Sequence, residues 1–120
     1  MNKDQAIHFF WSQFGMPAYD ENSVPDNAQM PYITYNVITD CLNAVLPMSA
    51  RLWYNSSSWE QISLKSKEIS LKIGDGIVQK LDEGYMWLYK GTPFAQRMAS
   101  EDDNTKLIYI NIGVEFLTAN

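Results

Sequence analysis

The sequence predicts an α+β fold in which two main helices pack on one face of a mostly antiparallel sheet. Two segments place apolar residues at helical spacing, and several others alternate apolar and polar residues as strands do. The chain has 120 residues, which is enough for one hydrophobic core. It contains no internal repeat, so we expect a single domain over residues 1–120.

The first helix is predicted over residues 3–14. Its large apolar residues recur at i, i+3, i+4 and i+7, which is one face of a helix: Ile7, Phe10, Trp11 and Phe14. Gly15 is suited to close this helix in a left-handed conformation, and Pro17 prevents its continuation.

Residues 16–31 are predicted to form a long loop, because they hold three prolines and show no periodicity. Loops of this length in small domains are uncommon and tend to be functional. A strand is expected next, over residues 32–38, with Pro31 at its start, where a missing donor costs least. Residues 41–48 favour a brief turn or strand edge over a helix, because Pro47 interrupts them.

A short strand is predicted over residues 50–54, followed by the second helix from Trp59 to Ile73. Gly74 and Gly76 end this helix. Its start carries a capping-box pattern that two pairs satisfy: Ser57 with Glu60, or Ser58 with Gln61.

The remaining pattern is β. Residues 77–81 and 85–90 are expected to form a hairpin around the turn at residues 82–84, which supplies a glycine where positive φ is needed. Residues 91–98 look like a looser connection. The last strand, residues 108–116, has one unbroken apolar face and one mixed face, which is typical of a half-buried antiparallel strand.

Charge and composition exclude some functions. The formal net charge is −5, which argues against binding DNA or an anionic membrane through a broad positive surface. No apolar run reaches the roughly 18 residues that a membrane-spanning helix needs. Cys41 is the single cysteine, which rules out an internal disulfide and is compatible with a reducing compartment.

The sequence offers no convincing catalytic, cofactor or metal site. His8 is the single histidine, and a boundary or surface role suits it better than a ligand role. Cys41 lacks a basic partner nearby in sequence and is expected to be a small buried hydrophobe. The acidic pairs are expected to lie in solvated turns, and residues 20–22 lack the glycine and glutamate of a calcium loop.

The sequence carries more aromatic residues than a two-layer domain needs. Four Trp and seven Tyr occur, and residues 85–89 are apolar or aromatic on both faces of the predicted strand. Trp, Tyr and Met are enriched at the centres of protein interfaces. The second face of the sheet is therefore covered either by the chain's own loops or by a neighbouring subunit, and the residues leave both possibilities open.

The order of elements resembles that of the small tail-terminator and tail-completion (head–tail connector) proteins of long-tailed bacteriophages and Firmicutes prophages. The likeness covers nearly the whole chain. It rests on five segments: Val24-Pro25, residues 30–35, the helix after Trp59, residues 85–91 and residues 109–117.

This resemblance implies a virion structural protein that is assembled in the host cytoplasm, is not an enzyme and needs no cofactor. It implies a ring, commonly a hexamer, that ends the tail tube and docks to the neck, with DNA as passing cargo and no membrane partner. The interface is expected at Tyr32, Trp53, Trp87 and Tyr109. The loop at residues 16–31, with Asp20, Glu21 and Asp26, is expected to reach a neighbour.

Two alternatives stay open at this stage. One is a minor capsid or other head–tail joining protein, which would use the same assembly physics with a different neighbour. The other is a small ligand-binding domain or hydrolase that uses the carboxylates and aromatic residues. The second alternative predicts a monomer with a deep polar pocket.

Overall fold

The computed structural model describes residues 1–37, 45–100 and 102–117. Residues 41–44 of the predicted segment 41–48, including Cys41, lie outside these residues, whereas residues 45–48 are part of a strand. Within the described residues, two helices and six strands follow one another in this order: α1 (Lys3–Trp11), β1 (Ala18–Asp20), β2 (Tyr32–Tyr35), β3 (Val45–Asn55), α2 (Glu60–Ile73), β4 (Ile77–Lys80), β5 (Tyr85–Met98) and β6 (Thr105–Leu117).

The predicted fold class is wrong. Strands make up 44% of the structure and the two short helices 21%, and the strands form one curled, mixed sheet. Its order is β1-β2-β3-β6-β5-β4, with β1 and β2 parallel and the other neighbours antiparallel. The sheet is larger than predicted because β1 was not predicted and because β3 and β5 run well beyond their predicted limits. Helix α1, in contrast, is shorter than predicted.

Helix α1 begins with a capping box that the sequence analysis missed. The side chain of Asn2 accepts from the N–H of Gln5, and the Gln5 side chain accepts in return from the Asn2 N–H. The helix ends at Trp11, three residues earlier than predicted, and Ser12 is its C-cap. The Ser12 N–H still makes the helical bond to the His8 carbonyl, and the Ser12 hydroxyl donates to the same carbonyl. Such local side-chain bonds compete with helix continuation. Gly15 has φ +76°, as predicted.

Helix α2 covers almost the predicted range but lacks the predicted capping box. Trp59 occupies the N-cap position and its side chain makes no cap hydrogen bond. The hydroxyl of Ser58 instead accepts from the Glu60 N–H two residues along, as in a serine turn. Gly74 follows the last helical residue with φ +54°, which confirms the predicted end.

Strand β1 lies inside the segment predicted to be a loop. It adds to the edge of the sheet beside β2, where the Ile33 N–H donates to the Pro17 carbonyl and the Glu21 N–H to the Tyr35 carbonyl. A three-residue strand is too short to show a period-2 pattern, so β1 could not be predicted from the residue pattern. β2 ends at Tyr35, earlier than the predicted residue 38, which is not described.

The C-terminal half of the sheet is a long hairpin. β5 continues through residues 91–98, which were predicted to be a loose connection, and the pairing with β6 shifts between Lys90 and Ala95. Such a bulge bends a strand without ending it. The tight turn before β5 is confirmed, with Gly84 at φ +90°.

Most of one face of the sheet, the inner face, is buried; its exposed part is the second half of β5, where Lys90, Ala95 and Arg97 pair with buried residues of β6. The buried side chains of this face and those of both helices belong to one core, which includes Trp11, Ile62 and Ile69. The predicted apolar side of the last strand is confirmed, since all five of its side chains are buried: Ile108, Ile110, Ile112, Val114 and Phe116. The opposite face, the outer face, carries neither helix.

Candidate protein-interaction surface

The outer face is defined by strand alternation and cross-strand register. In β6 each residue next to a buried one points outward, and its paired residues in β3 and β5 point the same way. These pairs join Tyr109 to Arg51 and Gln96, and Leu107 to Trp53 and Met98. The residues of the outer face used below are Tyr19, Tyr32, Thr34, Arg51, Trp53, Val78, Lys80, Tyr85, Trp87, Tyr89, Tyr109, Glu115 and Leu117.

Three aromatic rings form a row across strands β1, β2 and β3 at one end of this face. The ring centroids of Tyr19 and Tyr32 are 5.8 Å apart, and those of Tyr32 and Trp53 are 6.1 Å apart. The indole N–H of Trp53 donates to the Thr34 hydroxyl at 2.9 Å. These rings are half-buried because each covers its neighbour, so this end is a mixed apolar and hydrogen-bonding surface.

The middle of the outer face is polar and charged. The guanidinium carbon of Arg51 lies 5.5 Å from the centroid of the Tyr109 ring, within the range of a cation–π contact. The Nη1 atom of Arg51 is also 3.8 Å from a carboxylate oxygen of Glu21. A partner seated here would therefore meet one balanced ion pair and the flat side of a tyrosine.

The other end of the outer face is strongly apolar and exposed. Here lies a cluster that we call the outer patch: Val78, Tyr85, Trp87 and Leu117, with exposures of 63%, 48%, 37% and 44%. Val78 pairs with Trp87, and Tyr85 pairs with Leu117. The patch therefore runs across three neighbouring strands, β4, β5 and β6.

Two glycines let aromatic rings lie flat at this end. A Cβ atom on Gly113 would come within 2.4 Å of the Tyr89 ring, and one on Gly76 within 2.6 Å of the Trp87 indole nitrogen. Trp87 and Tyr89 in turn contact each other, with centroids 4.8 Å apart. The rings of Tyr89 and Trp87 thus occupy space that the side chain of a residue larger than glycine would need.

The structure brings together four of the seven predicted interface residues on one face. Tyr32, Trp53, Tyr109 and Trp87 all lie on the outer face, and the first two are in contact. The three acidic residues separate. Glu21 lies beside Arg51, Asp20 accepts from the Asn22 N–H, and Asp26 is exposed in a turn.

Part of the exposed apolar surface was not among the predicted interface residues: Val78, Tyr85 and Leu117. The alternation of residues 85–89 already places Tyr85 on the same strand face as Trp87, so the exposure of Tyr85 could have been predicted from the sequence. The sequence analysis also missed Leu64 and Leu71 of α2, which are 61% and 73% exposed. They stand seven residues apart, on the side of the helix opposite the buried Ile62 and Ile69. We call these two residues the leucine stripe.

The chemically reactive side chains of the described residues are dispersed. Nδ1 of His8 lies 2.8 Å from the Tyr35 hydroxyl, and burial together with the negative charges of Asp20 and Asp4 raises the pKa of Tyr35. No group of three or more His, Cys, Asp or Glu side chains is placed to hold a metal ion in the described parts of the chain.

Two open clefts border the segment that leads into β2. One has a volume of about 500 Å³ and lies between residues 15–19 and residues 27–31. Tyr19 is the one ionisable side chain in its described lining. The second, of about 400 Å³, includes Asn55, Asp102 and Thr105. Neither gathers the several converging acids that a carboxylate-based active site requires.

No protein-family model and no curated protein matches this chain. Among residues 1–37, 45–100 and 102–117, no helix is both long and apolar enough to cross a membrane.

Proposed function

We propose that this chain is a structural protein of the head–tail connection of a bacteriophage or prophage. In this role it forms a ring that ends the tail tube and docks to the neck. The observation that carries the proposal is the outer face, on which aromatic and aliphatic side chains stay exposed while the inner face already has a complete core. Exposed apolar patches of this kind mark interaction surfaces.

The resemblance described above supplies the head–tail part of the proposal, and the surface supplies the assembly part. The four aromatic residues expected at the interface share one face. Tyr and Trp contribute large contact areas with little loss of side-chain entropy, so they are effective at the centre of an interface. The acidic net charge of −5 suits a ring through which DNA passes without adhering.

The experiment is co-expression of the chain with the tail-tube protein of the same genome, followed by electron microscopy of the tubes. A head–tail ring should be found at one end of tubes of uniform length. The proposal would be contradicted if, in the co-expression sample, the protein were not bound to the tubes and the tubes grew to variable lengths. Binding to capsid vertices alone would instead indicate a minor capsid or joining protein.

Self-assembly is tested separately by size-exclusion chromatography with light scattering, over the widest accessible range of protein concentration. Tyr85→Ser and Val78→Ser should weaken assembly, because both side chains are exposed and contribute little to the core. The matched control is Phe9→Ser, which removes an equally exposed apolar side chain, 46% accessible, from α1. Equal effects of all three substitutions would show that general hydrophobicity, and not the outer face, drives association.

A further inference from the structure

Two unpartnered apolar surfaces lie on opposite sides of the molecule. The outer patch lies on the sheet face that carries neither helix. The leucine stripe lies on α2, whose opposite side contacts the inner face through Ile62, Ile69 and Ile73. The leucine stripe therefore points away from the sheet.

We propose that the leucine stripe of one copy of this chain packs on the outer patch of the next copy. This inference rests on the proposed ring function and specifies its subunit contact. The outer face would then acquire a helix from a neighbour, just as the inner face is covered by the chain's own helices. Both layers would be helix on sheet, which is a common way to bury a sheet face.

The dimensions of the two surfaces agree. Leu64 and Leu71 are seven residues apart, which corresponds to about 10.5 Å along a helix. The outer patch crosses β4, β5 and β6, and three neighbouring strands span about 9.6 Å. Two leucines at this spacing match the width of the patch.

Several charges of the two surfaces are complementary, but the match is not complete: Glu68 is exposed between Leu64 and Leu71 on the same side of α2, where it pairs with Lys65. Lys67 and Lys72 are exposed beside the leucine stripe and form no ion pair within the described residues. Glu115 is the cross-strand partner of Trp87 within the outer face, and Glu83 is exposed in the adjoining turn. Lys80 also lies at this end of the outer face, where it is the cross-strand partner of Tyr85. In the proposed contact, Glu60 at the start of α2 in the neighbouring copy carries the charge opposite to that of Lys80.

The placement of the two surfaces determines the type of assembly. Because they are different surfaces on opposite sides, the contact is head to tail, and it leaves one free surface on each end of a dimer. Successive copies then add in the same way. A rotation at each contact closes the series into a ring.

The test uses single-cysteine variants made in a Cys41→Ser background, treated with a short bifunctional maleimide. Leu71→Cys and Val78→Cys should each remain uncrosslinked when alone and should form a covalent dimer when mixed. The matched control is Phe9→Cys mixed with Val78→Cys, which should not crosslink although Phe9 is as exposed as the patch residues. Denaturing gels and mass spectrometry identify the joined residues.

Four outcomes would overturn the inference. Efficient crosslinking of Val78→Cys with itself would indicate that two outer faces meet symmetrically. Equal crosslinking of the Phe9→Cys control would indicate unspecific association. If light scattering shows rings and no mixture crosslinks, the contact surface is wrong while the ring function stands; if the chain stays monomeric and does not crosslink, both are wrong.

A second variant checks the energetics without a crosslinker. Leu64→Ser combined with Leu71→Ser should weaken self-association by at least about tenfold, since two apolar contacts are lost. Because both side chains are exposed in the single chain, its unfolding midpoint at low concentration should be nearly unchanged. Unaltered association of this variant would contradict the proposed contact.

Discussion

The two faces of β6 are built from neighbouring residues of one strand, yet they have different roles. The inward side chains are aliphatic or aromatic and fully buried, as Ile110 and Val114 illustrate. The outward ones are polar or aromatic and half-buried, as Tyr109 and Glu115 illustrate. The inner face therefore accounts for much of the folding of the chain, whereas the exposed side chains of the outer face are the ones that we propose for contacts with other molecules.

The sharpest test of this difference compares Ile110→Ala with Tyr109→Ala. Ile110 is fully buried, so its truncation leaves a cavity and should lower the free energy of unfolding by about 2–5 kcal/mol. Tyr109 is half-exposed beside Arg51, and its truncation should cost about 1 kcal/mol. The measurement is urea unfolding at a concentration at which light scattering shows a monomer.

Equal losses in the two variants would show that the outer face is as important to the fold as the inner one. Assembly should respond in the opposite order. Tyr109→Ala should weaken self-association more than its small effect on stability accounts for, because Tyr109 lies on the outer face that we propose for assembly, although it is not part of the outer patch.

Strands with a strong alternating pattern were predicted from the sequence, and strands without one were not. β6 was predicted well because five alternating apolar residues leave one possible register. β1 and residues 91–98 were missed because their strand structure depends on pairing with distant segments. β5 continues past Lys90 since β6 is long enough to pair with it. These additional strand residues are the reason why the domain is mostly sheet and not the α+β fold that was predicted.

The candidate site was partly predictable for a related reason. An aromatic residue that alternates with a buried residue must lie on the opposite face of its strand, so Trp53, Tyr109 and Trp87 could be assigned to one surface. The leucine stripe required knowledge of which side of α2 is buried. The spacing of Ile62, Ile69 and Ile73 already indicates the buried side of α2, so Leu64 and Leu71 could have been assigned to its exposed side from the sequence.

A second prediction concerns the close packing of Tyr89 on Gly113. Gly113→Ala should destabilise the chain by about 1–3 kcal/mol, because the new Cβ would lie 2.4 Å from the Tyr89 ring. In a Tyr89→Ala background the same substitution should cost little, since the clash is absent. Thermal or urea unfolding of the four members of this double-mutant cycle measures the coupling.

Additive losses in that cycle would contradict the close ring–backbone contact. They would also weaken the comparison of the two faces. The outer aromatic residues would then be loosely attached to the sheet and not held flat against it.

A smaller effect is expected at Trp59, the N-cap residue of α2. Arg97 and Lys106 lie 4.8 and 5.5 Å from the centroid of its ring. Each cation–π contact should contribute about 0.5–1 kcal/mol, so Arg97→Ala and Lys106→Ala should each reduce stability by that amount. Lys67→Ala is the control, because its exposed side chain has no recorded ion pair within the described residues and its loss should change stability by less than about 0.5 kcal/mol.

The subtlest expected effect is a change in alkaline stability at the edge of the inner face. Burial, and then the charges of Asp20 and Asp4, raise the pKa of Tyr35 above its model-compound value of 10.0. The folded chain therefore holds this proton to higher pH than the unfolded chain, so the contribution is complete below pH 10 and is lost as pH rises through the folded pKa. Tyr35→Phe, which cannot ionise, should lose less stability than the unmodified chain between pH 8 and pH 11. Urea unfolding across that range measures both slopes, and parallel slopes would show that Tyr35 ionises equally easily in both states.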